Sequence, residues 1–228
     1  MIDGSHDADH PGREHGSHDH GGHEPGGQDR DFDELARTWD DDPAKVERAR
    51  VVAGLIDRRL DLGPSTSVFE YGAGTGLVAQ HLAPLVGPIT MSDPSAGMRA
   101  VMEEKAAAGT LPAGTRIWST DLDVDPVPDE RFDLVVAVQV LHHVADLARV
   151  LDGLAAMTAP GGHLAVCDLE REDGSFHGEG FGGHRGFDRA ELGDRFREAG
   201  FADVSFEHAY DLRKHDRDYP LFLAIAVR

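Results

Sequence analysis

The sequence predicts an α/β protein built on a doubly wound, mostly parallel sheet with helices on both faces. Three observations carry that expectation. From Phe32 onward, stretches of helical periodicity alternate with short apolar runs. One run, Leu134-Val135-Val136-Ala137-Val138, is apolar at every position, as a strand covered on both faces should be. The first such run opens into Gly72-Ala73-Gly74-Thr75-Gly76, a strand-to-helix turn stripped of bulky side chains.

The elements follow in order. Asp42 as N-cap and Pro43 at the first helical position start a helix. Its apolar stripe is Val46, Ala49, Val52, Ala53, Ile56 and Leu60, and Gly63-Pro64 stops it. Val68-Phe69-Glu70-Tyr71 is the first strand, and a helix from Leu77 to Leu85 follows the glycine turn. Ile89-Thr90-Met91-Ser92 is the second strand, ending at Asp93-Pro94, and a helix runs through Met98 to Ala107. Arg116-Ile117-Trp118-Ser119 is the third strand and Leu134–Val138 the fourth. A helix over Leu147–Met157 leads to Pro160-Gly161-Gly162 and then to a fifth strand, Leu164-Ala165-Val166-Cys167. Asp188-Arg189-Ala190-Glu191 reads as a capping box opening another helix, closed at Ala199-Gly200-Phe201 with Gly at C′. Val204–Leu212 and Leu221–Val227 are the last strands, with Pro220 placed just before the final one. No helix separates these two, so they pair as a hairpin or lie antiparallel at the end of the sheet.

Composition narrows the function. The 228 residues, 40% hydrophobic and 28% charged, suffice for one sizeable core. A formal charge of -20 disfavours a nucleic-acid partner. The single cysteine, Cys167, excludes an intramolecular disulfide and a cysteine metal knuckle, and reads as a small buried hydrophobe. No apolar run approaches the ~20 residues that span a bilayer, and the first residues have no basic or apolar signal region. A cytoplasmic protein without membrane association is expected. Residues 1–30 carry His6, His10, His15, His18, His20 and His23 with almost nothing to bury. They read as a disordered tail that binds metal only opportunistically, ahead of one domain over 31–228. No metal ligands are expected within that domain.

The candidate site lies at the carboxyl ends of the strands. A nicotinamide enzyme favours G-x-G-x-x-G, but Leu77 stands where the third glycine would be, and the spacing here is G-x-G-x-G. Glu70, two residues before Gly72, offers a carboxylate to a ligand ammonium. Asp93, at the end of the second strand, suits the hydroxyls of a ribose while also capping the next helix. Asp121-Leu122 offers a carboxylate and a backbone N–H to an adenine edge. Together these positions describe a nucleoside that carries an amine and needs no phosphate.

In these motifs, with Phe132-Asp133-Leu134-Val135-Val136, Leu141-His142-His143-Val144 and Ala159-Pro160-Gly161-Gly162, the chain over about 31–228 resembles the class I S-adenosylmethionine (SAM)-dependent methyltransferases of the ubiquinone/menaquinone group. The resemblance implies a Rossmann-like sheet of seven strands with the last antiparallel, and SAM as cofactor. It implies that Glu70, Gly72, Ala73, Gly74 and Gly76 hold the methionine part, Asp93 the ribose, and Asp121 and Leu122 the adenine. Gln139 and Val140 would flank the methionine amino group, and Pro94 and Met98 complete the expected cofactor set. Phe32–Asp40 resembles the family's N-terminal lid, with Trp39 suited to pack over a sulfonium.

His142, His143 and His184 are the candidate general bases, because imidazole titrates near neutrality. The alternative is a packed or capping pair for His142 and His143, and ordinary loop polarity for His184. The expected reaction is an in-line methyl transfer to an O, N, S or C nucleophile of a small molecule. The rival readings are a nucleotide-dependent oxidoreductase and a non-catalytic SAM-binding or metal-buffering protein.

Overall fold

The computed structural model describes Met1 and residues 32–178, 180–214 and 216–228. Seven strands form one sheet: β1 (Val68–Tyr71), β2 (Ile89–Ser92), β3 (Arg116–Trp118), β4 (Phe132–Val138), β5 (Thr158–Leu169), β6 (Ala202–Lys214) and β7 (Arg217–Val227). Their spatial order is β3-β2-β1-β4-β5-β7-β6. The first five run parallel, while β7 is antiparallel to both of its neighbours, β5 and β6. The sequence therefore predicts the strand set and the reversed last strand correctly. The chain moves outward from β1 through β2 and β3, then returns to the other side of β1 for β4. That reversal opens a crevice beyond the carboxyl ends of β1 and β4, where such sheets bind ligands.

The helices are α1 (Pro43–Arg59), α2 (Leu77–Leu82), α3 (Ala96–Ala107), α4 (Leu147–Met157) and α5 (Arg189–Glu198). Strand residues alternate between two cores. Val68, Leu134, Val136, Ala165 and Cys167 pack with Val52 and Ile56 of α1 and Val78 and Leu82 of α2. Phe69, Tyr71, Val135, Ala137, Leu164 and Val166 pack with Val150, Leu151 and Leu154 of α4 and with Phe196 of α5. Each fully buried aliphatic side chain adds roughly 1.5–3 kcal/mol relative to its exposed state.

Several features differ from the sequence expectation, and three boundaries and one cap do so for a local reason. Helix α2 stops at Leu82 rather than Leu85, because Pro84 has no N–H to continue the ladder. Strand β5 begins at Thr158, and Pro160-Gly161-Gly162 interrupts its ladder instead of preceding it: pairing jumps from Phe132↔Thr158 to Leu134↔His163. A Cβ on Gly162 would stand 2.9 Å from the Asp133 carbonyl oxygen, so the close approach needs glycine. Pro220 lies inside β7, paired with Asp211. Its carbonyl accepts from Glu170 N just past the end of β5, so its missing N–H falls where that neighbour has run out. The capping box is half formed: Asp188 accepts from Ala190 N and Glu191 N, but the Glu191 carboxylate turns to Arg171.

Candidate functional site

The glycine turn after β1 sets the floor of the crevice. Gly72 and Gly74 adopt φ of +64° and +57°, a region that side chains disfavour. A Cβ on Gly72 would stand 2.3 Å from Val140 Cγ2, so its bare backbone lets the tip of β4 pack against the turn. Gly74 differs. A Cβ there would only touch Met98 Sδ and Trp39 Nε1, each at 4.0 Å, so nothing presses on its backbone as Val140 presses on Gly72. Ala73 N donates to Ser92 O, tying the turn to β2, and Gly76 caps α2.

The carboxylates take different places around this floor. Asp93 Oδ2 accepts from Gly74 N at 2.8 Å and Oδ1 from Ser95 N at 2.9 Å, so it ties the turn to the residue before α3; the N-cap of α3 is Ser95, whose Oγ accepts from Met98 N, and not Asp93 as expected. Burial pushes its carboxyl up to about 6. Asp121 Oδ1 accepts from the Tyr71 hydroxyl at 3.1 Å and from Asp123 N at 3.0 Å, joining the tip of β1 to the segment after β3. Leu122 is fully buried, and its carbonyl accepts from Arg149 Nε. Met98 is buried and Pro94 exposed.

Glu70 corrects the expectation placed on it. It is 2% exposed, beneath the turn, and its Oε2 accepts from Ala79 N at 2.9 Å. It satisfies an otherwise orphaned N–H in the first turn of α2 instead of lying open to an ammonium. Burial pushes its carboxyl up to about 8.

A 3-10 segment, Ala36–Asp41, lies against the turn through Asp40 and Thr75. Its anchors were not legible beforehand, because each pairs residues far apart in the chain. Asp33 accepts from Ser95 Oγ and from Gly97 N. Asp40 accepts from Thr75 Oγ1 and pairs with Lys105, whose Nζ also donates to Thr75 O at 2.9 Å. Trp39 is half-buried beside Gly74, but the Lys45 ammonium sits 3.9 Å from its ring centroid. One cation already engages the indole that the sequence assigned to a sulfonium.

The tip of β4 builds the other wall. Gln139 holds φ of +54°, with its N–H on Cys167 O at 2.7 Å, and Val140 covers Gly72. A 3-10 turn, Leu141–His143, follows. His142 is buried, with Nδ1 2.6 Å from Asp168 Oδ1. Among the described residues, His143 Nδ1 is buried without a hydrogen-bond partner. His177, from the loop after β5, brings its ring centroid to 5.0 Å from that of His142 and stacks on Phe181 at 3.8 Å. Burial and the neighbouring rings pull His143 down to about 3 and His177 down to about 4. An imidazole that gives up its proton so readily is a weak base, which counts against His143 in that role.

His184 does not join this group. Its N–H donates to His142 O at 2.8 Å, but its ring lies against Phe187 and lines a separate cavity of about 490 Å³ with Arg171, Asp188 and Glu191. Asp168, His177, Phe181 and Lys105 are the site residues that local spacing did not reveal. Residues 2–31, with the histidine-rich tail and its expected disorder and metal binding, lie outside the described residues.

A methyltransferase-domain family model matches residues 44–206, spanning the glycine turn, Asp93, Asp121 and the β4 tip. The chain belongs to this family. An uncharacterised methyltransferase of Schizosaccharomyces pombe is 31% identical over 190 residues, covering 76% of this chain and 63% of the relative. A ubiquinone biosynthesis O-methyltransferase of Nitrobacter winogradskyi is 34% identical over 120 residues, covering 52% of this chain and 44% of the relative. The chain thus spans less than two thirds of the length of these curated relatives. Among solved structures, the N-methyltransferase NodS of Bradyrhizobium japonicum, in complex with S-adenosylhomocysteine, superposes with a TM-score of 0.67 at 20% identity. That match covers 87% of this chain and 97% of NodS, and establishes the shared fold. The architecture is therefore that of the class I SAM-dependent methyltransferases. No helix among the described residues is long and apolar enough to cross a membrane.

Proposed function

We propose that this methyltransferase-family chain moves a methyl group from SAM to a nucleophilic O, N, S or C atom of a small molecule and releases S-adenosylhomocysteine. The observation that carries the reading is the bond from Gly74 N to Asp93 Oδ2, which locks a bare backbone turn beside a carboxylate at the next strand tip. The bare backbone of Gly74, with Met98 and Trp39 beside it, suits a nucleoside with an amino-acid tail. SAM, when bound, supplies an electrophilic methyl group on a sulfonium.

The chain's own groups hold and orient. The turn from Gly72 to Gly76 takes the amino-acid part, with the backbone of Gln139 and Val140 beside it. Asp93 takes the ribose hydroxyls through the second lone pair of each oxygen. Asp121 and the backbone of Leu122 take the adenine edge. Glu70 acts from below by fixing the first turn of α2. The lid segment excludes water, and Asp40 and Lys105 hold it down.

The printed name of the Nitrobacter relative supports a small-molecule acceptor. The formal charge of -20 argues against a polyanionic one. The weak basicity of His143 and His177 favours an acceptor that is already nucleophilic near neutral pH.

Calorimetry on the folded chain tests the reading. Heat with SAM and with S-adenosylhomocysteine, and none with NAD(H), is the expected result. No heat with either sulfur nucleoside overturns it. Turnover of an acceptor panel to S-adenosylhomocysteine then separates an enzyme from a passive binder.

A further inference from the structure

We propose that His142, His143 and His177 bind one divalent transition-metal ion, Zn²⁺ foremost, and that this ion clamps the loop after β5 onto the tip of β4. A ring nitrogen from each of the three lies within 4.8 Å of the others. Zn–N bonds of about 2.0–2.1 Å bring tetrahedral ligands to about 3.4 Å apart, so small ring rotations complete the set. The half-buried His177, on its loop, has the freedom to make them.

Two features distinguish this cluster from three packed rings. His142 places Nδ1 on the Asp168 carboxylate, which leaves Nε2 for a metal. A carboxylate behind a histidine is the outer-shell arrangement that orients metal ligands and makes them better donors. His143 Nδ1 is buried with no hydrogen-bond partner among the described residues. A buried ring nitrogen left unpaired is rare unless something fills the place, and here two further imidazole rings lie 4.1 and 5.4 Å from the His143 ring, centroid to centroid.

Three neutral imidazoles with a fourth position open suit Zn²⁺, and carboxylate-loving Mg²⁺ and Ca²⁺ much less. The walls are apolar. Phe181 lies 5.6 Å from the His143 ring on one side and Phe32 lies 5.5 Å away on another, edge-on in both cases. Phe32 in turn meets Trp39, which stands beside Gly74. The ion would therefore sit one aromatic layer from the glycine turn, with its open position available to an oxygen or nitrogen donor. Placing that donor on the methyl acceptor rests on the methyl-transfer reading; the metal site itself does not.

The test uses the full chain, so the histidines of residues 1–30 must be separated from the triad. Metal-free protein is titrated with Zn²⁺ against a chromophoric chelator, and with Co²⁺ while its visible bands are followed. Wild type should show one competing site and the intense bands of tetrahedral Co²⁺. His143→Ala and His177→Ala should lose both, keeping only weak sites and still giving heat with S-adenosylhomocysteine. Asp168→Asn should weaken the site about 10–100-fold. Zn²⁺ should also slow chymotryptic cleavage at Phe176 and Phe181 in wild type and not in His177→Ala. If a variant fails to bind S-adenosylhomocysteine, His177→Gln replaces it as a smaller change at a half-buried loop position. The proposal is overturned if Co²⁺ spectra and Zn²⁺ stoichiometry are the same in wild type and variants. Tight Zn²⁺ binding at the triad without heat from S-adenosylhomocysteine would uphold this site and refute the methyl-transfer reading.

Discussion

The two walls of the crevice are built on opposite principles. On the glycine-turn side, the buried carboxylates already bond to backbone: Glu70 to Ala79 N, and Asp93 to Gly74 N and Ser95 N. On the histidine side, His143 Nδ1 has no partner among the described residues and His177 rests on an aromatic stack. The first wall is pre-organised by its own hydrogen bonds and needs only a ligand that fits. The second holds polar groups that remain unsatisfied until something enters. A cofactor that is the same in every turnover suits the first kind of wall, and a variable or regulated partner suits the second.

The largest expected effect breaks the first wall. Gly72→Ala forces a Cβ to 2.3 Å from Val140 at a positive φ. It should cost ~2–4 kcal/mol in urea denaturation through overpacking and left-handed strain, and remove heat with S-adenosylhomocysteine. Gly74→Ala sharpens the contrast, because its Cβ meets nothing closer than 4.0 Å. It should cost only about 1–2 kcal/mol of stability yet still abolish binding, since the bare backbone itself is covered. Equal stability losses in the two variants would mean that Val140 does not press on the turn.

Next comes Asp93→Ala, which should weaken SAM binding by ~1–3 kcal/mol. The wild-type affinity should also depend on pH. The Asp93 carboxyl, pushed up to about 6 by burial, accepts ribose hydroxyls best when ionised. Calorimetric affinity should therefore fall as pH drops through about 6 and level off above it. A flat profile between pH 5 and 8 would remove Asp93 from the ribose contact. His143→Ala, on the other wall, should leave this profile unchanged.

What could be read from sequence follows the same division. The glycine turn and the caps Asp42 and Asp188 are local: each residue acts within a few positions of itself, and short-range geometry dictates the role, whereas Asp93 also reaches Gly74 N, 19 residues away. Spacing shows that a carboxylate stands at Glu70 before the turn, not whether it points up toward a ligand or down toward Ala79 N. It likewise shows an aromatic ring at Trp39 but not Lys45 over that ring. The histidine wall assembles from three separate stretches: His142 and His143 after β4, Asp168 within β5, and His177 in the loop beyond. Nothing in the spacing says these meet, and His184, which looked equivalent to His142, turns toward Phe187.

A subtler effect concerns the floor. Glu70 has its carboxyl raised from 4.5 to about 8. The folded state therefore binds more protons than the unfolded state between those values, and stability falls as pH rises through that window. Glu70→Gln keeps an acceptor for Ala79 N and removes the ionisation. Its Tm should change less between pH 6 and 8.5 than that of wild type, with the variant more stable by a few degrees at the alkaline end. Parallel Tm curves would show that Glu70 is not held in its buried place.

The smallest effect tests whether the walls are independent. Asp40 and Lys105 are partly exposed, at 30% and 14%, so their pair should contribute only about 0.5–1 kcal/mol. Yet it holds the lid segment to both the glycine turn and α3. Asp40→Ala should lower Tm by about 2–4 °C at most, weaken S-adenosylhomocysteine binding a few-fold, and speed amide exchange over residues 36–41. Exchange in the loop around His177 should stay as it was, because no bond of Asp40 reaches it. Beside the packing of Val140 on Gly72, an aromatic bridge joins the halves, from Trp39 through Phe32 to His143. Faster exchange at both places in Asp40→Ala would mean that this bridge transmits lid opening. The two walls would then be one cooperative unit, and a bound methyl donor would order the histidine side as well as its own.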